Sequence, residues 1–201
     1  TGNGNNRIFG GYGVDTISTG NGRNYINGGY GNDSITTGSG IDTIYGSFGN
    51  DTINAGDGAN IVYGGDGNDS ITTGAGIDKI YANDGNDTVD AGAGNDYISG
   101  SYGDDTLAGG AGKDTIIGEY GNDKIDGGTE NDNLDGGYGD DTIDGGAGND
   151  LIHGSFGNDV LSGGVGLDSI YGDAGDDKLD GGDDNDLLRG GAGNDQIAGG
   201  N

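Results

Sequence analysis

Nineteen aspartates recur at one fixed place in this 201-residue chain, and their spacing is the first sign of chemistry. A nine-residue unit, GGYGNDSIT at Gly28 to Thr36, tiles the chain 22 times from Thr1 to Ala198 without insertion or deletion. Gly199, Gly200 and Asn201 begin a 23rd copy. Position 6 of the unit is Asp in 19 copies and Asn in three, Asn6, Asn24 and Asn60. Stacked at one strand spacing, about 4.8 Å, such carboxylates would repel severely unless a cation lay between them. With carbonyl oxygens beside them and no thiolate or imidazole, a hard cation such as calcium is the partner this donor set selects.

The remaining columns of the unit would have to position those carboxylates. Column 8 is aliphatic in all 22 copies, column 4 is Gly in 20, interrupted by Glu130 and Asp184, and 51 of the 53 glycines fall in columns 1, 2 and 4. Glycine in this phase is a specification of backbone conformation rather than a flexible linker. Columns 6 to 9 are expected to form a very short strand with column 8 inward and columns 7 and 9 outward, and columns 1 to 5 the turn into the next strand. Every basic residue then faces out: Arg7, Lys79, Lys124 and Lys178 in column 7, Arg189 in column 9, Arg23 and Lys113 in column 5.

Successive units alternate. Aromatics in column 3 fall only in alternate units, at Tyr12, Tyr30, Phe48, Tyr102, Tyr120, Tyr138 and Phe156, while the units between carry bulk in column 9, as at Phe9, Tyr45, Tyr63 and Tyr81. The structural repeat is therefore 18 residues: about 11 coils of two strands and two turns, with turns 18 residues apart stacked on the same edge. A rod on the order of 50 Å long follows from the strand spacing. GSFGND at both Gly46 and Gly154 is a weaker echo that suggests growth by duplication.

Composition narrows the classes. With 29% hydrophobic residues, no Trp and three Phe, the chain cannot build an ordinary globular core, and a formal charge of -28 opposes compaction. Something cationic must belong to the folded state. The same charge argues against nucleic acid and anionic membranes, which reward clusters of Lys and Arg, and no apolar run is long enough to span a bilayer. The absence of cysteine removes disulfides and thiolate metal sites.

The pattern GGxGxDxUx, as in GGYGNDSIT and GSFGND followed by TIN, closely resembles the nonapeptide of RTX (repeats-in-toxin) proteins over the whole chain. The resemblance implies an all-β, right-handed parallel β-roll, a two-sheet solenoid with calcium in the turns. Each ion would be held by columns 2, 4 and 6 of one turn and columns 1, 3 and 6 of the turn 18 residues on. One such site would be Gly11, Gly13 and Asp15 with Gly28, Tyr30 and Asp33, with all but the aspartates giving backbone carbonyls. Carried along that edge, the expected ligands are Asp15, Asp33, Asp51, Asp69, Asp87, Asp105, Asp123, Asp141, Asp159, Asp177 and Asp195. Their companion glycines are Gly29, Gly31, Gly49, Gly65, Gly67, Gly85, Gly103, Gly121, Gly137, Gly139, Gly157, Gly175 and Gly193, besides Gly11 and Gly13. The other edge offers Asp42, Asp78, Asp96, Asp114, Asp132, Asp150, Asp168 and Asp186.

The two edges are unequal. The first has ten gaps walled by two carboxylates; the second has six, from Asp78 to Asp186, with three gaps holding one carboxylate and the first holding none. An uptake of about 16 to 20 ions is expected. Residues 1–201 are expected to be one repeat domain, a segment of a longer chain.

Function is expected to be structural: a calcium-binding segment of a secreted or surface bacterial protein, such as an adhesin, surface-layer or filament scaffold, folding on calcium binding after type I secretion. The alternative is a secretion and folding module attached to a secreted enzyme or toxin. An ice-binding rod should show a rank of threonines, and column 3 holds only Thr129. No enzyme is expected: His153 stands in an outward column, and a regular rod offers no cleft in which an isolated acid could act. The aromatic column could stiffen the turns by ring stacking, or bind glycans or neighbouring rods.

Overall fold

The computed structural model describes residues 2–201 and shows a β-solenoid. Among these residues, twenty-two strands form two sheets of 11, one from the odd-numbered and one from the even-numbered strands, so consecutive strands alternate between the sheets. Every pairing is parallel, and partners lie 18 residues apart: Ile8 faces Ile26 and Ile143 faces Leu161. The coil length read from the aromatic alternation is therefore the length of the fold.

Sixteen of the 22 strands are longer than the expected four residues. In the first sheet they run from column 7 through column 3 of the next unit, as in β1 (Arg7–Tyr12) and β3 (Tyr25–Tyr30). The second sheet has three-residue strands from β2 (Thr16–Ser18) to β10 (Thr88–Asp90), then six-residue strands from β12 (Thr106–Ala111) to β20 (Lys178–Asp183). Turns therefore shrink to columns 4 to 6 in most coils. Alternation carried along the longer strand sends three columns inward, 6, 8 and 1, where one had been expected.

Column 8 forms the core. Ile26, Ile44, Ile80, Ile98, Ile116 and Ile152 are fully buried, one aliphatic side chain per strand stacked on the next. Such side chains, each worth about 1.5–3 kcal/mol when fully buried, make a thin apolar seam rather than a broad core. Column 1, mostly glycine, is also inward, and where it carries a side chain, as at Ala55, Ala82 and Ala91, that side chain is buried.

All seven basic residues are exposed, as expected. The aromatics of columns 3 and 9 lie in the same six-residue strands, as Phe9 and Tyr12 do in β1, whereas column 3 had been expected in the turn. Their rings stack between coils: Tyr102, Tyr120, Tyr138 and Phe156 form a run with centroids 4.9, 5.1 and 4.7 Å apart and nearly parallel planes. A second run, Tyr45, Tyr63 and Tyr81, lies in column 9. Among the described residues no helix is long and apolar enough to cross a membrane.

Candidate metal centre

Each site is built from the turn outward. Column 4 adopts positive φ in all 22 copies, which L side chains disfavour and glycine tolerates. Glu130 and Asp184, the two exceptions in sequence, adopt it as well, at φ 72° and 87°, so the turn keeps its shape there at a cost in strain.

Glycine has a second role at these positions. A Cβ on Gly29 or Gly31 would run into the carbonyl oxygens of Gly11 and Gly13, one coil before. The carbonyls of columns 2 and 4 thus point across the gap toward the next coil.

The aspartates are buried, most of them 3% exposed or less. Their two oxygens have different environments. Oδ1 accepts a backbone N–H from the previous coil: Asp15 N donates to Asp33 Oδ1 at 2.8 Å, Asp33 N to Asp51 Oδ1 at 2.7 Å, and the series continues to Asp177 and Asp195. Oδ2 has no hydrogen-bond partner in 18 of the aspartates. A buried, unpaired carboxylate oxygen is costly, and a continuous row of them calls for a cationic partner.

Column 1 shows which oxygen comes closest to Oδ2. A Cβ on Gly145 would lie 2.6 Å from Asp150 Oδ2 and 2.6 Å from the carbonyl oxygen of Gly163; on Gly64 it would lie 2.5 Å from Asp69 Oδ2 and 2.5 Å from the carbonyl oxygen of Ala82. The same pair of oxygens converges beside Gly10, where Asp15 Oδ2 meets the Gly28 carbonyl. Asp Oδ2 and a carbonyl oxygen of the next coil thus close in where a column-1 side chain would stand, and such a pairing of carboxylate and carbonyl oxygens suits a hard cation. Among the described residues no group of three or more His, Cys, Asp or Glu side chains converges.

Of the six residues expected at the first gap, Gly11, Gly13, Asp15 and Gly28 direct oxygens into it. The Tyr30 carbonyl accepts the Gly13 N–H at 2.8 Å, and Asp33 enters through the oxygen that accepts Asp15 N–H. Each aspartate therefore spans two gaps, with Oδ1 toward the coil before and Oδ2 in the cradle of the coil after.

Burial raises the pKa of many of these aspartates, from Asp51 to Asp177, opposed by the backbone hydrogen bond and in most of them assisted by neighbouring carboxylates. Asp69, Asp87, Asp105, Asp132 and Asp141 reach about 7, and Asp51, Asp123, Asp150 and Asp159 about 6. Without a cation, Asp69, Asp87, Asp105, Asp132 and Asp141 would hold protons near neutrality.

One ladder was missed in the sequence. Column 5 side chains at the aspartate-rich edge accept the N–H of column 5 one coil later, from Asn50 N on Asn32 Oδ1 at 3.0 Å through Asn194 N on Asp176 Oδ1 at 2.8 Å. This exposed ladder runs opposite to the buried one. Its signal was available: on this edge, column 5 is Asn or Asp in every copy after Val14. His153, expected to be alone, has Asp173 Oδ2 2.8 Å from Nδ1 and stacks on Tyr171 at 4.7 Å.

A parallel solenoid whose stacked turns offer buried carboxylates and converging carbonyls defines a β-roll of cation-binding turns. The RTX calcium-binding nonapeptide repeat, described by a family model of four copies, matches residues 1–35, 27–62, 36–71, 63–98, 99–134, 126–161, 135–170, 153–188 and 171–201. The chain belongs to this family: it is an RTX calcium-binding repeat domain. A comparison with curated proteins finds no match.

Proposed function

We propose that the roll is a calcium-folded structural rod of a secreted or cell-surface protein, in which cations between stacked turns act as part of the core. The observation that carries this reading is the row of buried Asp Oδ2 atoms without partners. With a charge of -28 and one aliphatic side chain per strand in the seam, the unliganded chain has little to offset its ordering cost. A site absent from the unfolded chain turns binding energy into folding energy. Sites of the extracellular class bind calcium at about 10⁻⁴–10⁻³ M, so such a chain stays unfolded in a cytosol poor in calcium and folds outside.

The proposed ligands are the aspartates of both edges with the carbonyls of columns 1, 2 and 4, and the gaps walled by two carboxylates number ten on one edge and six on the other. We place residues 1–201 in one repeat domain serving an adhesin, surface-layer or filament scaffold; in a secreted enzyme or toxin the same rod would be the folding module, with activity elsewhere. The stacked rings cover one another's faces, which favours stiffening or side-by-side contact of rods over stacking on glycans.

Circular dichroism tests the coupling. Excess EGTA should give a coil spectrum that returns to β on adding calcium. A β spectrum that persists in EGTA at pH 8 would defeat the reading.

One observation supports a second reading, ice binding. The outer face of the second sheet carries exposed hydroxyls in register at Thr16, Ser34, Thr52, Ser70, Thr88 and Thr106, paralleled by Ser18, Thr36 and Thr72 two residues on. The rank sought in column 3 lies instead in columns 7 and 9. Thermal hysteresis in calcium would support this reading, and its absence would remove it.

A further inference from the structure

On the calcium reading, every gap between stacked turns is a candidate site, yet four consecutive gaps are bridged by the chain's own side chains. They lie on the second edge, between the column-6 residues Asn6, Asn24, Asp42, Asn60 and Asp78. Three of the five are amides, so none of these gaps has two carboxylate walls.

Asn6 Nδ2 donates to the Gly4 carbonyl at 2.8 Å and to Asn24 Oδ1 at 2.8 Å. Asn24 Nδ2 donates to the Gly22 carbonyl at 3.2 Å and to Asp42 Oδ1 at 2.9 Å. Asn60 Nδ2 donates to the carbonyls of Gly58 at 2.9 Å and Gly56 at 3.2 Å. These acceptors are the column-2 and column-4 carbonyls that face a cation elsewhere in the roll.

The amide orientation is fixed from the other side. Asn24 Oδ1 accepts Asn6 N–H at 3.2 Å and Asn60 Oδ1 accepts Asp42 N–H at 3.0 Å, which leaves each NH₂ to the carbonyls. In the remaining gap, between Asp42 and Asn60, column 1 is Thr37. Its buried hydroxyl donates to the Ala55 carbonyl at 2.5 Å, the counterpart of the Gly163 carbonyl that faces the cradle beside Gly145. Thr73 makes the same bond to Ala91 at 2.6 Å, but Asp78 and Asp96 wall that gap with two carboxylates, so its negative charge still requires a cation.

We infer that these four gaps close without calcium, with the amide hydrogens of Asn6, Asn24 and Asn60 and the hydroxyl of Thr37 replacing the ion. The roll then has a cation-free stretch on one edge opposite fully carboxylated turns on the other.

The test is an ion count on the calcium-loaded protein by native mass spectrometry, with equilibrium dialysis as a second measure. The count should plateau at sixteen and stay there when free calcium is raised tenfold. Asn60→Asp, which gives two gaps a second carboxylate, should raise it by two. Asn60→Ala, which removes the amide without adding charge, should leave the count unchanged and lower the melting temperature. A plateau of eighteen or more in the unmodified protein, or a count that Asn60→Asp leaves unchanged, would overturn the inference while leaving the calcium reading intact. Zero ions in every protein would overturn both.

Discussion

Glu130 and Asp184 hold a backbone conformation that the 20 other residues of their column meet with glycine. A side chain at positive φ costs on the order of 1 kcal/mol relative to glycine. Glu130→Gly should therefore stabilise the calcium-loaded roll by about 1 kcal/mol, measured by urea unfolding at fixed calcium; a loss would show that the Glu130 side chain contributes more than its strain costs. The buried aspartates give a second prediction. The folded pKa values of Asp51, Asp69, Asp87, Asp105, Asp123, Asp132, Asp141, Asp150 and Asp159 lie above the ordinary carboxylate value, at about 6 to 7, so the folded, metal-free chain binds more protons than the unfolded one. The resulting stabilisation is complete below about pH 4 and is lost as pH rises toward 7. In EGTA, β signal should thus grow as pH falls from 8 to 4.5, whereas in limiting calcium, acidification should weaken ion binding by competition. A metal-free chain insensitive to pH in this range would contradict the burial of the column.

At the scale of the strand, stability rests on one buried side chain and, on one face, on stacked rings. Ile143→Ala empties a place in the seam with partners above and below, and should cost about 2–5 kcal/mol in the calcium-loaded state. Tyr120→Ala breaks two stacking contacts and should cost about 1–3 kcal/mol at 0.5–1.5 per pair; a loss under 0.3 would make the ladder ornamental to stability. The period, the inward Ile column and the turn glycines of column 4 were legible in the sequence because each leaves a one-residue chemical requirement. The full strand length was not. Glycines in columns 1 and 2 have poor strand propensity, and they occupy the sheet because Asp Oδ2 and a neighbouring carbonyl fill the place of a side chain, a contact visible only in three dimensions. Expecting one inward column followed from the same misreading. The exposed Asn ladder escaped because Asn beside Gly reads as ordinary turn chemistry.

For the whole molecule, stability should scale with the number of occupied gaps, since each ion binds the folded state alone. Raising calcium should move the urea midpoint upward steadily, with a slope on log calcium that reports many ions released together. A slope equivalent to one or two ions would mean that coils unfold independently of most sites. The unbroken 18-residue register also sets how the rod would respond to tension. Each coil detached from the stack frees 18 residues, which extend to roughly 60 Å while the rod shortens by only about 5 Å. Pulled from its ends in optical tweezers, the protein should lengthen in uniform steps of that size, a tether that yields a coil at a time and rewinds when the load falls, provided calcium is at hand to refill the turns.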